Sequence, residues 1–472
     1  MPGSRAGTGI HRAVNQKGRQ VVAELSTLGR LAAPMILAQV TQMGMGVADT
    51  IMAGQVSAVD LAGVALGGNL FWPFILFLAG IIMSLTPAVS QLHGAGREAQ
   101  AGEVARQAMW LAATGGLVMM VFLHNVQPVY RLLGVDARAI PISVAYLEAL
   151  SFGVLPLLGY FTLRYLSEGM SWTLPAMWIA GASLALKIPL NYLFIYGAFG
   201  MEGMGGVGCG WASAIVLNCQ FLAMLLVVSR SRLQVTGVFT RFSLPEAGEI
   251  VRLIKLGLPI GLTNFMEISL FAVITLLIGR LGAEAVAAHM IASNVGAMTF
   301  MVPLALGMAV SIRVGYNVGA RDLAAARRSG WVGMGVAMVF ALFAAGLVFS
   351  LRGPIAGLYS SETAVLALAV ELLVFVALYQ FVDDTQVTAV GALRGFKDTR
   401  ATMWVALLSY WGVGLPVGAA LGFDWFGIHG FAGVRGFWVG LIAGLTVAAV
   451  VLTLRFHWLS NRPERVAMYA RR

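Results

Sequence analysis

Three carboxylates, Asp49, Glu267 and Asp383, lie deep inside runs of residues that are otherwise apolar enough to cross a lipid bilayer. A charge at mid-bilayer costs roughly 2.5 to 3.5 kcal/mol on insertion scales, so such a side chain is expected to face a cavity and to handle cations. Asn264 precedes Glu267 by three residues and Tyr379 precedes Asp383 by four, spacings that place a neutral oxygen on the helical face of each acid. Carboxylate, amide and phenol oxygens suit a hard cation such as Na⁺. Withdrawal from water also favours the protonated form of a carboxylate, so H⁺ is the equal alternative. Transport is the chemistry this pattern points to.

Glu267 lies about 18 Å along its helix from Lys255, and Asp383 about 16 Å from Arg394, which puts both near the middle of the membrane. Asp384 is about 100° around the helix from Asp383 and is expected to play a structural or supporting part. Glu148 and Glu371 occur near the outer ends of their spans and are expected to be solvated. Asp49 has a candidate partner in Lys187, which sits deep within the run Lys187-Ile-Pro-Leu-Asn191. A lysine so far from either span end cannot easily reach the interface, so an Asp49–Lys187 ion pair is expected. A backbone carbonyl or a watery cavity is the alternative partner for Lys187.

The elements that must hold these residues are membrane helices. The chain has 472 residues, of which 59% are hydrophobic and 11% charged, and a mean hydropathy of +0.83 excludes a soluble domain. The apolar runs are too long for barrel strands of about 10 alternating residues. Twelve spans are predicted: 31–53, 62–88, 105–127, 142–166, 174–197, 208–229, 256–279, 286–312, 328–350, 365–392, 401–422 and 434–455. They group into a cytosolic arm (1–27), a first six-helix lobe (28–229), a cytosolic linker (230–255), a second six-helix lobe (256–458) and a basic cytosolic tail (459–472). The arm, with Arg5, Arg12, Lys17 and Arg19 but no apolar core or small-residue cleavage site, is expected to be a flexible segment and not a signal peptide.

With both termini cytosolic, 25 Lys and Arg fall on that side, 5 fall on the other, and Lys187 alone lies within a span. That bias supports an even number of spans. The net charge of +10 is spread over these short loops, and no nucleic-acid partner is expected. Cys209 and Cys219 offer neither a disulfide framework nor metal-ligand spacing.

The two halves repeat. A shift of 225 residues brings Pro34 onto Pro259, Thr50 onto Thr275, Gly54 onto Gly279, Asn69 onto Asn294, Met83 onto Met308 and Gly94-Ala95 onto Gly319-Ala320. Leu163-Arg164 and Glu168 recur as Leu393-Arg394 and Asp398. Six spans per half give both halves the same orientation, related by a pseudo-two-fold axis along the membrane normal. A cleft between two lobes follows.

In this setting the chain resembles the multidrug and toxic compound extrusion (MATE) family, specifically its NorM-type bacterial branch. The resemblance runs from about residue 28 to 458 and rests on Gly44-Met-Gly-Val-Ala-Asp49-Thr-Ile-Met-Ala-Gly54, Ser90-Gln-Leu-His-Gly-Ala-Gly-Arg97, Gly205-Gly-Val-Gly-Cys-Gly210, Ala287-Ala-His289, Ser311-Ile-Arg-Val-Gly315, Tyr379-Gln-Phe-Val-Asp383 and Leu393-Arg-Gly-Phe-Lys-Asp398. It implies an efflux antiporter of the cell inner membrane whose lobes alternate between outward and inward openings. Organic, mostly cationic and aromatic drugs or dyes would leave as Na⁺ or H⁺ enters, with no cofactor and with a monomer as the expected state. By the same resemblance Glu267, Tyr379 and Asp383 would form the second-lobe cation site, and Asp49 with Asn191 a first-lobe pocket. The chain departs from the family at Lys187, where the NorM pattern has asparagine. A fixed positive charge there would keep Asp49 ionised and disfavour a metal ion beside it, so coupling is expected to fall chiefly on Glu267 and Asp383.

A lipid-linked precursor flippase is the alternative transporter, but it would need lysines and arginines gathered in the central cavity. An enzyme would need a nucleophile, a metal cluster or a paired histidine and acid. Six scattered histidines, among them His93 and His289 near span ends, do not supply one. A channel fits twofold repeats around a dead-ended acidic cavity less well than alternating access does.

Overall fold

The computed structural model describes residues 6–132, 137–198, 200–425, 427 and 429–470, and their regular structure is helical. In chain order the helices are α1 (Ala6–Val56), α2 (Ala58–Ile82), α3 (Leu85–Gly94), α4 (Glu98–His124), α5 (Gln127–Leu132), α6 (Ile140–Ser151), α7 (Val154–Gly169), α8 (Leu174–Tyr196) and α9 (Gly206–Arg230). The second half continues with α10 (Ala247–Ile278), α11 (Ala283–Gly319), α12 (Leu323–Tyr359), α13 (Thr363–Gly395), α14 (Thr399–Ala406), α15 (Leu415–Gly422), α16 (Val434–Ser460) and α17 (Pro463–Ala470). Among the described residues eleven helical segments are long and apolar enough to cross a membrane, and the bent pair α6–α7, counted as one span, makes a twelfth. Leu117, Val118, Val121, Leu276, Val339, Leu342, Phe343 and Leu454 all remain exposed, as suits side chains whose solvent is lipid tails.

The helices depart from regular rods at three places that matter. Span four, expected as one rod over 142–166, bends by 49° between α6 and α7. Pro156 has no N–H to offer the Phe152 carbonyl, and its ring clashes with a helix continuing from there. A Cβ at Gly153 would press on Leu217 and Ala214, so α9 packs directly into the bend. Span two breaks at Met83–Ser84 between α2 and α3. Span eleven carries a π-helical stretch, Leu407–Gly414, between α14 and α15.

The N-terminal arm differs from expectation. The polar stretch before residue 28 is helical from Ala6 and continuous with span one. Its Glu24 is 4% exposed and is gripped by Arg313 on α11, Nε to Oε1 at 2.9 Å and Nη2 to Oε2 at 2.8 Å, while Ser329 on α12 donates at 2.6 Å. The linker is also ordered. Arg106 on α4 donates to the Gly237 and Val238 carbonyls at 2.6 and 3.2 Å, Trp110 donates to the Ser243 carbonyl at 2.9 Å, and α10 already begins at Ala247.

The two halves of the sequence meet through α1, α2 and α3 on one side and α10 and α11 on the other. Glycines let the backbones touch there. A Cβ at Gly94 would fall on the Tyr316 carbonyl, and one at Gly319 on the Gln91 carbonyl. Gly94 and Gln91 are the repeat mates of Gly319 and Tyr316, so this contact is reciprocal. Gly80 meets Gly261 and Gly257 meets Ile81 in the same way, and Gln91 donates across the seam to the Gly395 carbonyl at 2.9 Å. All these approaches lie in the half of the spans nearer the chain termini.

Candidate cation and drug site

Glu267 on α10 reaches a small pocket that is also lined by Leu270, Phe271, Tyr379, Tyr410 and Leu441. Asp383, 1% exposed, lies one helical turn beyond Tyr379, whose hydroxyl is directed at the Asp383 carboxyl. Glu267 and Asp383 are close enough to feel one another's charge. The structure thus brings together Glu267, Tyr379 and Asp383 from helices more than a hundred residues apart in sequence.

Helix packing fixes this cluster. A Cβ at Gly391 on α13 would strike the Gly307 backbone of α11, so small residues clamp α13 against α11 two turns below Asp383. Trp438 on α16 stands edge-on to Tyr379, with ring centroids 6.0 Å apart, and also to His289 at 5.9 Å. His289 accepts or donates at 3.0 Å to Thr275 and serves this packing. Among the described residues Asp383 Oδ1, Asp384 Oδ2 and the Tyr410 hydroxyl are buried with no hydrogen-bond partner. Oxygens left unsatisfied in a buried place are costly unless a ligand meets them, and their chemistry suits a small hard cation or a proton.

Two features of the cluster differ from the sequence reading. Asn264, expected as an oxygen ligand beside Glu267, accepts from Arg394 Nη2 at 3.3 Å. Tyr410 is added to the cluster by the π-helical stretch, which gives no sign of itself in hydropathy; π turns often occur at functional sites. Asp384 is 2% exposed and lies within electrostatic reach of Asp383. Glu371 pairs with Arg435 at 2.6 Å while remaining 38% exposed, and Glu148 is exposed, as expected for solvated positions.

In the first half, Lys187 Nζ lies 2.9 Å from Asp49 Oδ1. The ammonium also donates to the Cys209 carbonyl at 3.3 Å and to the Ser213 hydroxyl. Asn191 donates to the same Asp49 oxygen at 2.7 Å. Lys187 is 2% exposed and Asp49 14%. The expected pair is therefore present, and the alternative carbonyl contact accompanies it. Cys209 is buried, Cys219 exposed, and the two are free thiols.

Known proteins repeat this organisation. The MatE family model matches residues 34–193 and 259–420, two stretches whose starts are 225 residues apart, the offset of the internal repeat. The chain is 44% identical over 442 residues to multidrug resistance protein PmpM of Pseudomonas aeruginosa, covering 93% of this chain and 92% of that protein. It is 41% identical over 447 residues to multidrug resistance protein NorM of Vibrio cholerae, covering 94% and 98%. Among solved structures, a eukaryotic MATE transporter superposes with a TM-score of 0.85 at 20% identity, over 96% of this chain and 99% of that one. A multidrug resistance MATE family transporter in an outward-facing conformation gives 0.84 at 18% identity, over 94% and 96%. A doubled fold, matched half by half and retained nearly end to end in these relatives, places the chain in the MatE family.

Proposed function

We propose that the protein is a multidrug efflux antiporter of the cell inner membrane, exporting organic, mostly cationic and aromatic compounds in exchange for inward Na⁺ or H⁺. The observation that carries this reading is the buried cluster of Glu267, Tyr379, Asp383 and Tyr410, with carboxylate and phenol oxygens left open to a cation. The names of the similar multidrug resistance proteins support the substrate class. A ligand shifts a conformational equilibrium only by its differential affinity, so ion and drug must favour different states of the two lobes. The glycine seam near the termini, which we read as the cytosolic end, closes one side of the cleft. Ion entry at Glu267 and Asp383 then competes with drug for the opposite opening. Asp49 is already held by Lys187 and Asn191, so its part is structural or in gating.

Ethidium uptake into inside-out proteoliposomes, with a Na⁺ or a pH gradient imposed separately, identifies the coupling ion. The double variant E267Q/D383N, inserted and monodisperse, is expected to lose gradient-driven uptake. Full activity in that variant refutes the proposal.

A further inference from the structure

Arg164 and Arg394 hold matching places in the two halves, each four residues before an acid. Their surroundings differ. Arg164 closes on its own partner, Nε to Glu168 Oε1 at 2.6 Å, with both side chains buried. Asp398, the corresponding acid in the second half, is taken by Arg455 of α16 at 2.8 Å. Arg394 turns instead toward the seam between the halves. Nη2 donates to Asn264 Oδ1 at 3.3 Å, Nη1 meets Met83 Sδ at 3.4 Å at the α2–α3 break, and Nε has no hydrogen-bond partner among the described residues. Guanidinium bonds to a carboxylate run about 2.7–2.9 Å, so both contacts are weak substitutes for the acid that Arg164 retains. Asn264 is one turn from Glu267, and Glu267 lies within electrostatic reach of Arg394.

We propose that Arg394 is the built-in counter-charge of Glu267: a tethered cation that balances the empty carboxylate, opposes the entering ion, and so sets the ion affinity of the second-lobe site. Its Met83 contact ties that balance to the seam, because Met83 belongs to the first half and the neighbouring Gly395 carbonyl is held by Gln91. The inference rests on Glu267 being the coupling acid. The other titratable groups in reach of Arg394 are Tyr165 on α7 and Tyr410, and those around Glu267 are Asp383, Tyr379 and Tyr410. Arg394 is the cation of that set. It is a positioning residue, since a drug or ion need not touch it.

The test measures ethidium transport in proteoliposomes against Na⁺ concentration and, separately, against pH. Removing the charge in R394Q is expected to lower the half-saturating ion concentration by about tenfold or more, whereas R394K keeps it near the parent value. Equal shifts in R394Q and R394K, or no shift in R394Q, overturn the proposal. E267Q is expected to abolish ion dependence, with or without R394Q; where E267Q does so and R394Q in the parent shifts nothing, the counter-charge idea alone is overturned. Ion dependence that survives in E267Q defeats the underlying reading of Glu267 and the proposal with it. Should R394Q fail to fold, the E267Q/R394Q pair, which loses both charges together, is expected to restore a monodisperse protein, and its failure to do so counts against the proposal.

Discussion

Breaking the Asp49–Lys187 pair from either side should give unequal penalties that vanish when both charges are removed. At 2.9 Å and an effective dielectric constant of about 20, the two charges attract by about 6 kcal/mol. Desolvating each ion costs several kcal/mol, so the intact pair is close to neutral for stability. Removing one member is different, because the other stays buried without its counter-charge, at about 3–5 kcal/mol. Lys187 is 2% exposed and Asp49 14%, and with asparagine at 49 the ammonium keeps neutral oxygens, the amide, the Cys209 carbonyl and the Ser213 hydroxyl, but no counter-charge. Asp49→Asn should therefore fall at the upper end of that range. Lys187→Met should fall at the lower end, since Asp49 keeps the Asn191 amide and some access to water. The double variant D49N/K187M should return to within about 1 kcal/mol of the parent. Equilibrium unfolding in mixed detergent–SDS micelles measures all three. Additive penalties in the double variant, or a harmless Asp49→Asn, would refute the pairing as the reason these residues tolerate burial.

Other expectations concern the gate and the cation cluster. Glu24→Gln or Arg313→Gln should weaken closure at the terminus-bearing end by up to about 3–5 kcal/mol, because each removes the bidentate charged partner of the other. Maleimide labelling of a cysteine placed at Ser90, in a background lacking Cys209 and Cys219, should then accelerate by about a hundredfold or more; unchanged labelling would show that the Glu24–Arg313 pair does not hold that end shut. Tyr410→Phe deletes a hydroxyl beside the Glu267 pocket at the cost of about one hydrogen bond, so half-maximal transport should need about fivefold more coupling ion. Lys187→Asn is expected to change the ion dependence or pH profile of transport, whereas Lys187→Ala should chiefly lower stability. An unchanged ion profile in Lys187→Asn would remove any influence of the Asp49 pair on coupling.

Charge against an apolar background made much of the site readable from sequence. Asp49, Lys187, Glu267 and Asp383 are conspicuous because a bilayer tolerates such groups only where something answers them. The repeat made the doubled architecture readable for a similar reason: glycine, proline and asparagine at fixed offsets are not interchangeable with other small or apolar residues. Tyr410 stayed hidden because hydropathy does not distinguish a π turn from the α-helix around it. The unequal fates of Arg164 and Arg394 were hidden too, since the repeat equates them and the difference comes from Arg455, 57 residues beyond Asp398. Glu24 was misplaced because a polar, charge-rich stretch resembles a loose tail until a guanidinium from another helix is found facing it.

The mutual seating of Gly94 and Gly319 has a practical consequence. Each backbone leaves no room for even one methyl group on its neighbour. An alanine at either position would act as a doorstop, holding the helices apart on that side and biasing the molecule toward its other shape without altering a single charge. Because the seat is mirrored, two such wedges on opposite walls should do similar work, offering a matched pair of tools for capturing the conformer in which the termini-side vestibule stands open.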